Sequence, residues 1–413
     1  MNRSLVAMVL LLSSTAWGDG PAPSLRLDAL VAEIRQRNPS AAAAARRIEA
    51  ARLRIPRARA LQDPFVQGML ENVPRRSMGE MPMLRLIATQ MLPWFGKRDR
   101  MAAVAEREAD AATARADITV LDVVTAGRRA YYDLLLNRYA RSINREQRAI
   151  VDTVVEIAIG RLRSGAGMHH DVLKMQTEAT MLDDALVMLE ADQREMAAMV
   201  NALLDRAAET IIGEPADAWT PEQPLNRAKL LEAALRARPE LREMASMQAA
   251  ESAMAAAAKR EYYPDVMVGG LYDLKSGEPS TFGAMLGLNV PIWIGSKQRL
   301  DVQAAETRAR AVERDRAAMA AMVRADIERY FVRLEAADRR ARLLDTEFIP
   351  RAQQTFDSAL AAFPASTVDV LSLLDSLRTL EAQKLARITV RIDRELALVD
   401  LERATGVSLK EIR

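Results

Sequence analysis

The chain has 413 residues, and its 58 basic and 56 acidic side chains are interspersed, leaving a formal net charge of only +2. That balance excludes a nucleic-acid tail or a polyanion-binding block. Aromatics are 4% and cysteine is absent, which excludes disulfide stapling and lipid attachment to an N-terminal cysteine and leaves stability to packing or oligomerisation.

The N-terminus reads as a secretory signal over residues 1–18. Asn2-Arg3 is a positive start, Leu5 to Leu12 is apolar, and Ala16-Trp17-Gly18 places small residues where a signal peptidase reads. Cleavage is expected before Asp19, and the segment is too short to count as a span; the alternative is a retained anchor. After a leader from Pro21 to Ser24, a helix is predicted over Leu27–Arg37, stopping before Asn38-Pro39 because the residue before proline resists helical geometry. Helical pattern resumes at Ser40 and runs to about Ala60 across Pro56, where a kink is expected.

From Pro64 the text changes to near-alternation, with strands predicted near 64–74 and 82–92 around a turn from Val73 to Pro82. A proline-free helix of roughly 67 residues then begins at Trp94, about 100 Å long if continuous. Gly160 to Gly167 breaks it, and His169 to about Ala208 is helical again. Residues 213–224, holding Pro215, Trp219, Pro221 and Pro224, are a connector.

Leu225 to Tyr262 is helical with an interruption at Pro239. Val266, Val268, Gly270, Tyr272 and Leu274 form one period-2 series, and Phe282, Ala284, Leu286, Leu288 and Val290 another, with Gly283, Met285, Gly287 and Asn289 on the opposite face. These are strands near 264–274 and 281–290. A helix follows from Lys297 to about Phe363, a break at Pro364, and a last helix from Thr367 to Thr405, stopped by Gly406. The spacing of Leu173, Thr177, Thr180, Val187 and of Leu371, Leu374, Leu377, Leu385 supports antiparallel helices packed side by side.

The chain repeats itself. Asn38-Pro39 returns as Arg238-Pro239 and Asp63-Pro64 as Tyr263-Pro264, an offset of 200; Leu92-Pro93 returns as Val290-Pro291, an offset of 198. Tyr131-Tyr132 returns as Tyr330-Phe331, and Asp171-Val172-Leu173 as Asp369-Val370-Leu371. Landmarks in one order at separations of 198 to 200 indicate a tandem duplication, with units 19–212 and 225–408 and a tail 409–413.

Each unit contributes one hairpin of strands about ten residues long, the length a tilted strand needs to cross a bilayer. One strand face is apolar and the other carries Gly, Asn and Thr, which suits a wall between lipid and water. A buried hairpin in a soluble protein shows the same alternation, and a coiled-coil rod explains the helices equally well. If the hairpins span a membrane, four strands cannot close a barrel and open edges are not tolerated in lipid, so several chains must pool them.

The chain resembles the outer-membrane efflux factor family, the TolC-like exit ducts of Gram-negative tripartite pumps. The resemblance rests on the strand entries Pro64-Phe65 and Pro264-Asp265, on the exits Gln90 to Arg98 and Asn289 to Trp293, and on the segments 162–173 and 363–371. It implies a mostly α chain with transmembrane β: long antiparallel helices forming an α-barrel tunnel through the periplasm, and four strands per chain pooled by a homotrimer into a 12-stranded outer-membrane barrel. The implied partners are self, outer-membrane lipid, a periplasmic adaptor and an inner-membrane RND-type transporter, with no nucleic acid and no cofactor. The Leu92–Lys97 segment resembles the heavy-metal branch, which serves copper/silver or cobalt/zinc/cadmium pumps.

The resemblance places a gate at the periplasmic helix ends, where acidic residues of three chains form rings. Asp369 matches the first ring position, Ser372 stands where a second acid is usual, and Asp375 lies one turn deeper. Asp171 is the counterpart in the first unit. Ala365 occupies the place where the family can carry a latching arginine, which calls for an aperture held differently. A first-turn Asp favoured by the helix dipole is the plainer reading of both aspartates.

Adaptor docking is expected at Arg163, Gly165, Gly167, His169 and His170 on one tip and Phe363, Pro364 and Ser366 on the other; ordinary inter-helix loops have the same composition. Trp94 and Trp293, where strand becomes helix, are candidate interface anchors, against buried junction tryptophans. Among 21 methionines, Met69, Met78, Met81 and Met83 are weak candidates for a soft metal, because methionine is also a core filler. Adjacent His169-His170, with no glycine-rich phosphate loop and no repeated His/carboxylate motif, offers nothing for an enzyme. The competing function is a secreted or periplasmic helical structural or adaptor protein.

Overall fold

The computed structural model describes residues 24–71, 83–222, 224–275 and 279–412. The expected signal segment, Met78 and Met81 lie outside the described residues. The first unit runs α1 (Leu27–Arg37), α2 (Pro39–Arg59), β1 (Phe65–Glu71), β2 (Met83–Leu92), α3 (Lys97–Arg163) and α4 (His169–Leu203). The second repeats the layout as α5 (Arg227–Ala237), α6 (Pro239–Ala258), β3 (Asp265–Lys275), β4 (Thr281–Asn289), α7 (Gln298–Leu343), α8 (Ile349–Ala362) and α9 (Val370–Thr405).

The first echoed landmark is a helix corner. Asn38 ends α1 by donating its N–H to Ile34 O at 3.0 Å, and its side chain starts α2 by accepting from the N–H of Ser40 and Ala41 at 2.9 and 3.2 Å. Its amide also donates to Leu203 O at 3.0 Å, tying the corner to the end of α4. One buried residue, through its backbone N–H and its side chain, therefore satisfies groups from three helices. Asn38→Ala is expected to cost about 1–2 kcal/mol, read as a lower urea midpoint for loss of helix in detergent-solubilised protein. In the second unit Arg238 holds the corner by ion pairs to Glu240 and Asp326 instead.

The sequence predicts one unbroken helix from Lys297 to Phe363, and the structure corrects it. Between α7 and α8, residues Leu344–Phe348 form a single π-helical turn. Pro350, at the start of α8, lacks an N–H and its ring collides with the carbonyl four residues back. Widening the preceding turn by one residue lets the helix continue past it. The first unit has no proline there, and α3 is continuous over 67 residues.

The packing seam also differs from the predicted one. In α4 the buried stripe is Val172, Met175, Ala179 and Leu182, while Leu173 and Val187 face outward at 49% and 62% exposure. In α9 Leu374 and Leu377 are buried as expected, but they are joined by Val370, Leu373 and Leu380, and Leu371 is half exposed. On α4 the stripe is rotated by one residue, towards the core it shares with Val151 and Val154 of α3 and Leu373 and Leu377 of α9. Val151, Val154, Phe356 and Phe363 complete this core at the tip end. Midway along the helices, Leu30 and Ile34 of α1 pack on Tyr131 and Leu135 of α3, and Leu230 and Ala234 of α5 pack on Val323 and Ile327 of α7.

The strands form one antiparallel sheet in the order β1-β2-β3-β4, with β2 and β3 joining the two units. Its register sorts the side chains cleanly. Glu71, Arg85, Asp265, Asp273 and Lys275 all fall on one face, and no charged residue of the four strands falls on the other. The charge-free face exposes Val66, Leu70, Leu84, Leu86, Tyr272, Phe282, Leu286 and Leu288.

Candidate functional site

Two regions carry the candidate residues: the sheet with its junction to the helices, and the tips at the far helix ends. On the charged sheet face Arg85 makes a two-pronged contact with Asp273, Nε to Oδ1 at 2.7 Å and Nη2 to Oδ2 at 3.1 Å, and lies 3.5 Å from Glu71. This fixes β1, β2 and β3 in one register, since a slip of one residue would turn these charges to the apolar side. Met69 and Met83 lie on the charged face, and the register adds Met91, Met267 and Met285 to it. Among the described residues no group of three His, Cys, Asp or Glu is placed to hold a metal ion. No described helix is long and apolar enough to cross a membrane.

At the junction, Lys97 is buried and reaches Asp265 at 2.8 Å and Glu261 at 3.0 Å, while the Trp94 N–H donates to Asp265 at 2.9 Å. Trp94 is half-buried with its ring stacked on Tyr263, centroids 6.2 Å apart. Trp293 stands 66% exposed and Phe95 84%. The two tryptophans, expected to be equivalent, therefore meet different surroundings.

The first tip is the turn between α3 and α4. Gly165 adopts φ +73°, and Gly167 lies so close to the end of α3 that a Cβ would come within 2.9 Å of Arg161 Cβ and 3.1 Å of the Leu162 nitrogen. Arg163, His169 and His170 are exposed around it. The second tip joins α8 to α9. Pro364 and Ser366 are exposed, and Ser366 takes a positive φ of 61°. Phe363, expected among the docking contacts, is fully buried. It shapes the tip from within, and the outward contacts on this side are Pro364 and Ser366.

Asp369 caps α9, accepting from the Ser372 N–H at 2.7 Å. Hydrogen bonds from the Ser372 side chain and then its N–H hold the Asp369 carboxyl below the usual carboxylate range. Ser372 therefore serves Asp369 as a donor. Asp369, Ser372 and Asp375 are all exposed along one side of α9, and Asp171 is half-buried on α4. The depressed value means that this cap stabilises the fold fully above the unfolded-state pKa near ~3.9 and is lost only as pH falls through the lower folded value.

Two arginines tie the tips together, and neither was singled out from the sequence. Arg161 of α3 donates to Phe363 O at 3.0 Å and Ala166 O at 3.4 Å, with its guanidinium 4.5 Å from the Phe363 ring centre. Arg378 of α9 grips Glu178 of α4, Nε to Oε1 at 3.0 Å. Glu178 is 5% exposed. The sequence offered no signal for either, because their partners lie about 200 positions away and the contacts become visible only when the helices are packed.

The sequence profile of the family described as "outer membrane efflux protein" matches residues 30–205 and 230–407, one match per unit. Among solved structures, the chain is similar to CusC at 14% identity and TM-score 0.80, covering 95% of this chain and 96% of that one. It is similar to the outer membrane protein VceC of Vibrio cholerae at 16% identity and TM-score 0.77, covering 93% and 96%. The open-state MtrE outer membrane channel of Neisseria gonorrhoeae gives 16% identity and TM-score 0.75, covering 93% and 89%. No curated protein sequence matches the chain. At such identities the structures speak for the fold, while the profile, matched over both halves of the duplication, places the sequence. The chain belongs to the outer membrane efflux protein family, the outer-membrane channels of Gram-negative tripartite efflux pumps.

Proposed function

We propose that three copies of this chain assemble into a passive exit duct, with no catalytic role, that docks by its tips onto a periplasmic adaptor and through it serves an inner-membrane transporter. The observation that carries this reading is the sheet: a face free of charge, beside two open edges at β1 and β4. Three copies of four strands give twelve, enough to close a barrel and remove every edge that lipid would leave unpaired. Exposed apolar residues on the helical flanks, Met181 and Val187 on α4 and Met322 and Val332 on α7, offer surface for neighbouring copies to cover.

Mass measurement of the detergent-extracted chain tests the assembly. A trimer from the outer-membrane fraction is expected; a soluble monomer would overturn the duct and favour a secreted or periplasmic helical protein.

In the trimer, Asp369, Ser372 and Asp375 of three chains would line the periplasmic aperture, with Asp171 as the first unit's counterpart. Asp369→Ala with Asp375→Ala is expected to abolish cation preference in planar bilayers. Because Asp369 is held in its ionised form, that preference should persist through mildly acidic pH in the unsubstituted channel. Unchanged reversal potentials in the double variant would exclude the ring. Arg163, Gly165, Gly167, His169, His170, Pro364 and Ser366 form the proposed adaptor surface. Heavy-metal cations are the proposed cargo, supported by the resemblance of the Leu92–Lys97 segment to the heavy-metal branch. Deletion of the gene should then lower tolerance to metal salts while leaving tolerance to organic toxicants unchanged.

A further inference from the structure

The duplication allows the seam between copies to be read from the seam inside one chain. Within the chain, β2 pairs with β3 so that Leu92 faces Val266, Met91 faces Met267 and Gln90 faces Val268. Val290 follows β4 as Leu92 ends β2, each just before a proline, and Val66 stands in β1 as Val266 stands in β3. Carrying the register across to β4 and the next copy's β1 sets Val290 opposite Val66, Asn289 opposite Gln67, Leu288 opposite Gly68 and Gly287 opposite Met69.

The carried-over pairs keep their faces. Leu288 and Gly68 both belong to the charge-free side, and Gly287, Asn289, Gln67 and Met69 to the charged side. A slip by one residue would mix the two sides across the seam. Met69 over Gly287 also repeats a contact made within the chain, where Met267 Cε lies 2.9 Å from the Cβ position of Gly287.

The junction below this register does not carry over. Inside the chain it is ionic, with buried Lys97 held by Asp265 and Glu261. At the corresponding places in the first unit stand Phe65 and Leu61, both exposed. On the other edge Trp94-Phe95 is replaced by Ile292-Trp293-Ile294, also exposed, and Lys297 lies at the surface. The carboxylates that receive Lys97 are thus absent where Lys297 would need them.

We propose that the seam between copies is closed, in the register Val290 to Val66, by an apolar contact of Ile292, Trp293 and Ile294 with Leu61 and Phe65 of the next copy, in place of the ionic clamp that closes the seam within the chain. The inference rests on the trimeric reading above. Its physical logic is that separate chains meeting at the water-facing junction below the strands gain from burying apolar surface, whereas an ion pair formed at that step would first have to be stripped of water.

The absence of cysteine makes the register directly testable. Asn289→Cys combined with Gln67→Cys should yield an oxidised, covalent trimer in membranes, because directly opposed residues lie within disulfide reach. Asn289→Cys with Met69→Cys, displaced by two residues, should not. Trp293→Asp should shorten the lifetime of the trimer in warm SDS by about tenfold or more, as loss of a central aromatic contact does, and Lys297→Ala should leave it unchanged. Cross-linking at the displaced pair overturns the register. A trimer whose lifetime follows Lys297 and ignores Trp293 overturns the apolar closure, as does quenching of Trp293 fluorescence by brominated lipid, which would seat that ring in the membrane. A mass corresponding to a monomer defeats the trimeric reading itself, an outcome distinct from all of these.

Discussion

Leu286→Arg is expected to cost the barrel about 2–4 kcal/mol in lipid, and Met285→Lys, one residue earlier, less than about 1 kcal/mol. The two positions sit at nearly the same depth on β4 and differ in the face they occupy. Leu286 is 79% exposed on the charge-free face, in line with Val268 of β3. Met285 lies on the face that carries Arg85 and Asp273. In a bilayer an arginine on the outer face must be buried in hydrocarbon or pull water inward, whereas a lysine on the inner face meets the lumen. Urea unfolding of the barrel in vesicles, followed by heat-modifiable migration, reads the difference. Equal tolerance of both substitutions would mean that neither face meets lipid, and the sheet would then belong to a soluble structure.

The second large effect is expected at the tips. Arg161→Ala together with Arg378→Ala should raise the fraction of time the channel spends open by about tenfold or more. Removing Arg378 leaves Glu178 buried without its partner, at about 1–3 kcal/mol, taken at the lower end because the Arg378 side chain is 55% exposed and its ion pair is screened. Removing Arg161 deletes two bonds to carbonyls and a cation–aromatic contact, each worth about 0.5–1 kcal/mol net. Together these exceed the roughly 1.4 kcal/mol that corresponds to a factor of ten. The Arg161 contacts with Phe363 and the Arg378–Glu178 pair join α3 or α4 to the α8–α9 pair, so their loss loosens one pair of helix ends against the other. Single-channel recordings of the purified trimer, with Arg163→Ala as the charge control, provide the measurement. Open-state occupancy equal to that of the control would remove these arginines from any part in gating.

Several features were legible from residue order alone. Asn38-Pro39 marks a corner because proline constrains its predecessor and asparagine can cap a helix; both follow from local chemistry. The strand faces were legible because alternation is a property of the backbone, and Phe282, Leu286 and Leu288 do lie together on the exposed side. Other features depended on partners. The buried stripe of α4 is displaced from Leu173 and Thr177 to Val172 and Met175, since helices rich in alanine and leucine offer more than one apolar seam. The π-helical turn before Pro350 records how a helix already anchored at both ends accommodates a proline. Phe363 looked like a surface residue beside Pro364, and it is buried because it packs into the core of Val154, Phe356 and Leu373, with Arg161, some 200 residues earlier, over its ring.

The sequence by itself determined the duplication, the order of helices and strands, the two-faced hairpins and the family, because these depend on local periodicity and on landmarks repeated at an offset of 198 to 200. Only the tertiary structure decided which distant residues the charged side chains meet. Arg85 with Asp273, Lys97 with Asp265, Arg161 with Phe363 and Arg378 with Glu178 each join residues at least 168 positions apart. In a chain with 58 basic and 56 acidic side chains, composition permits thousands of such pairs, and packing selects the few that form.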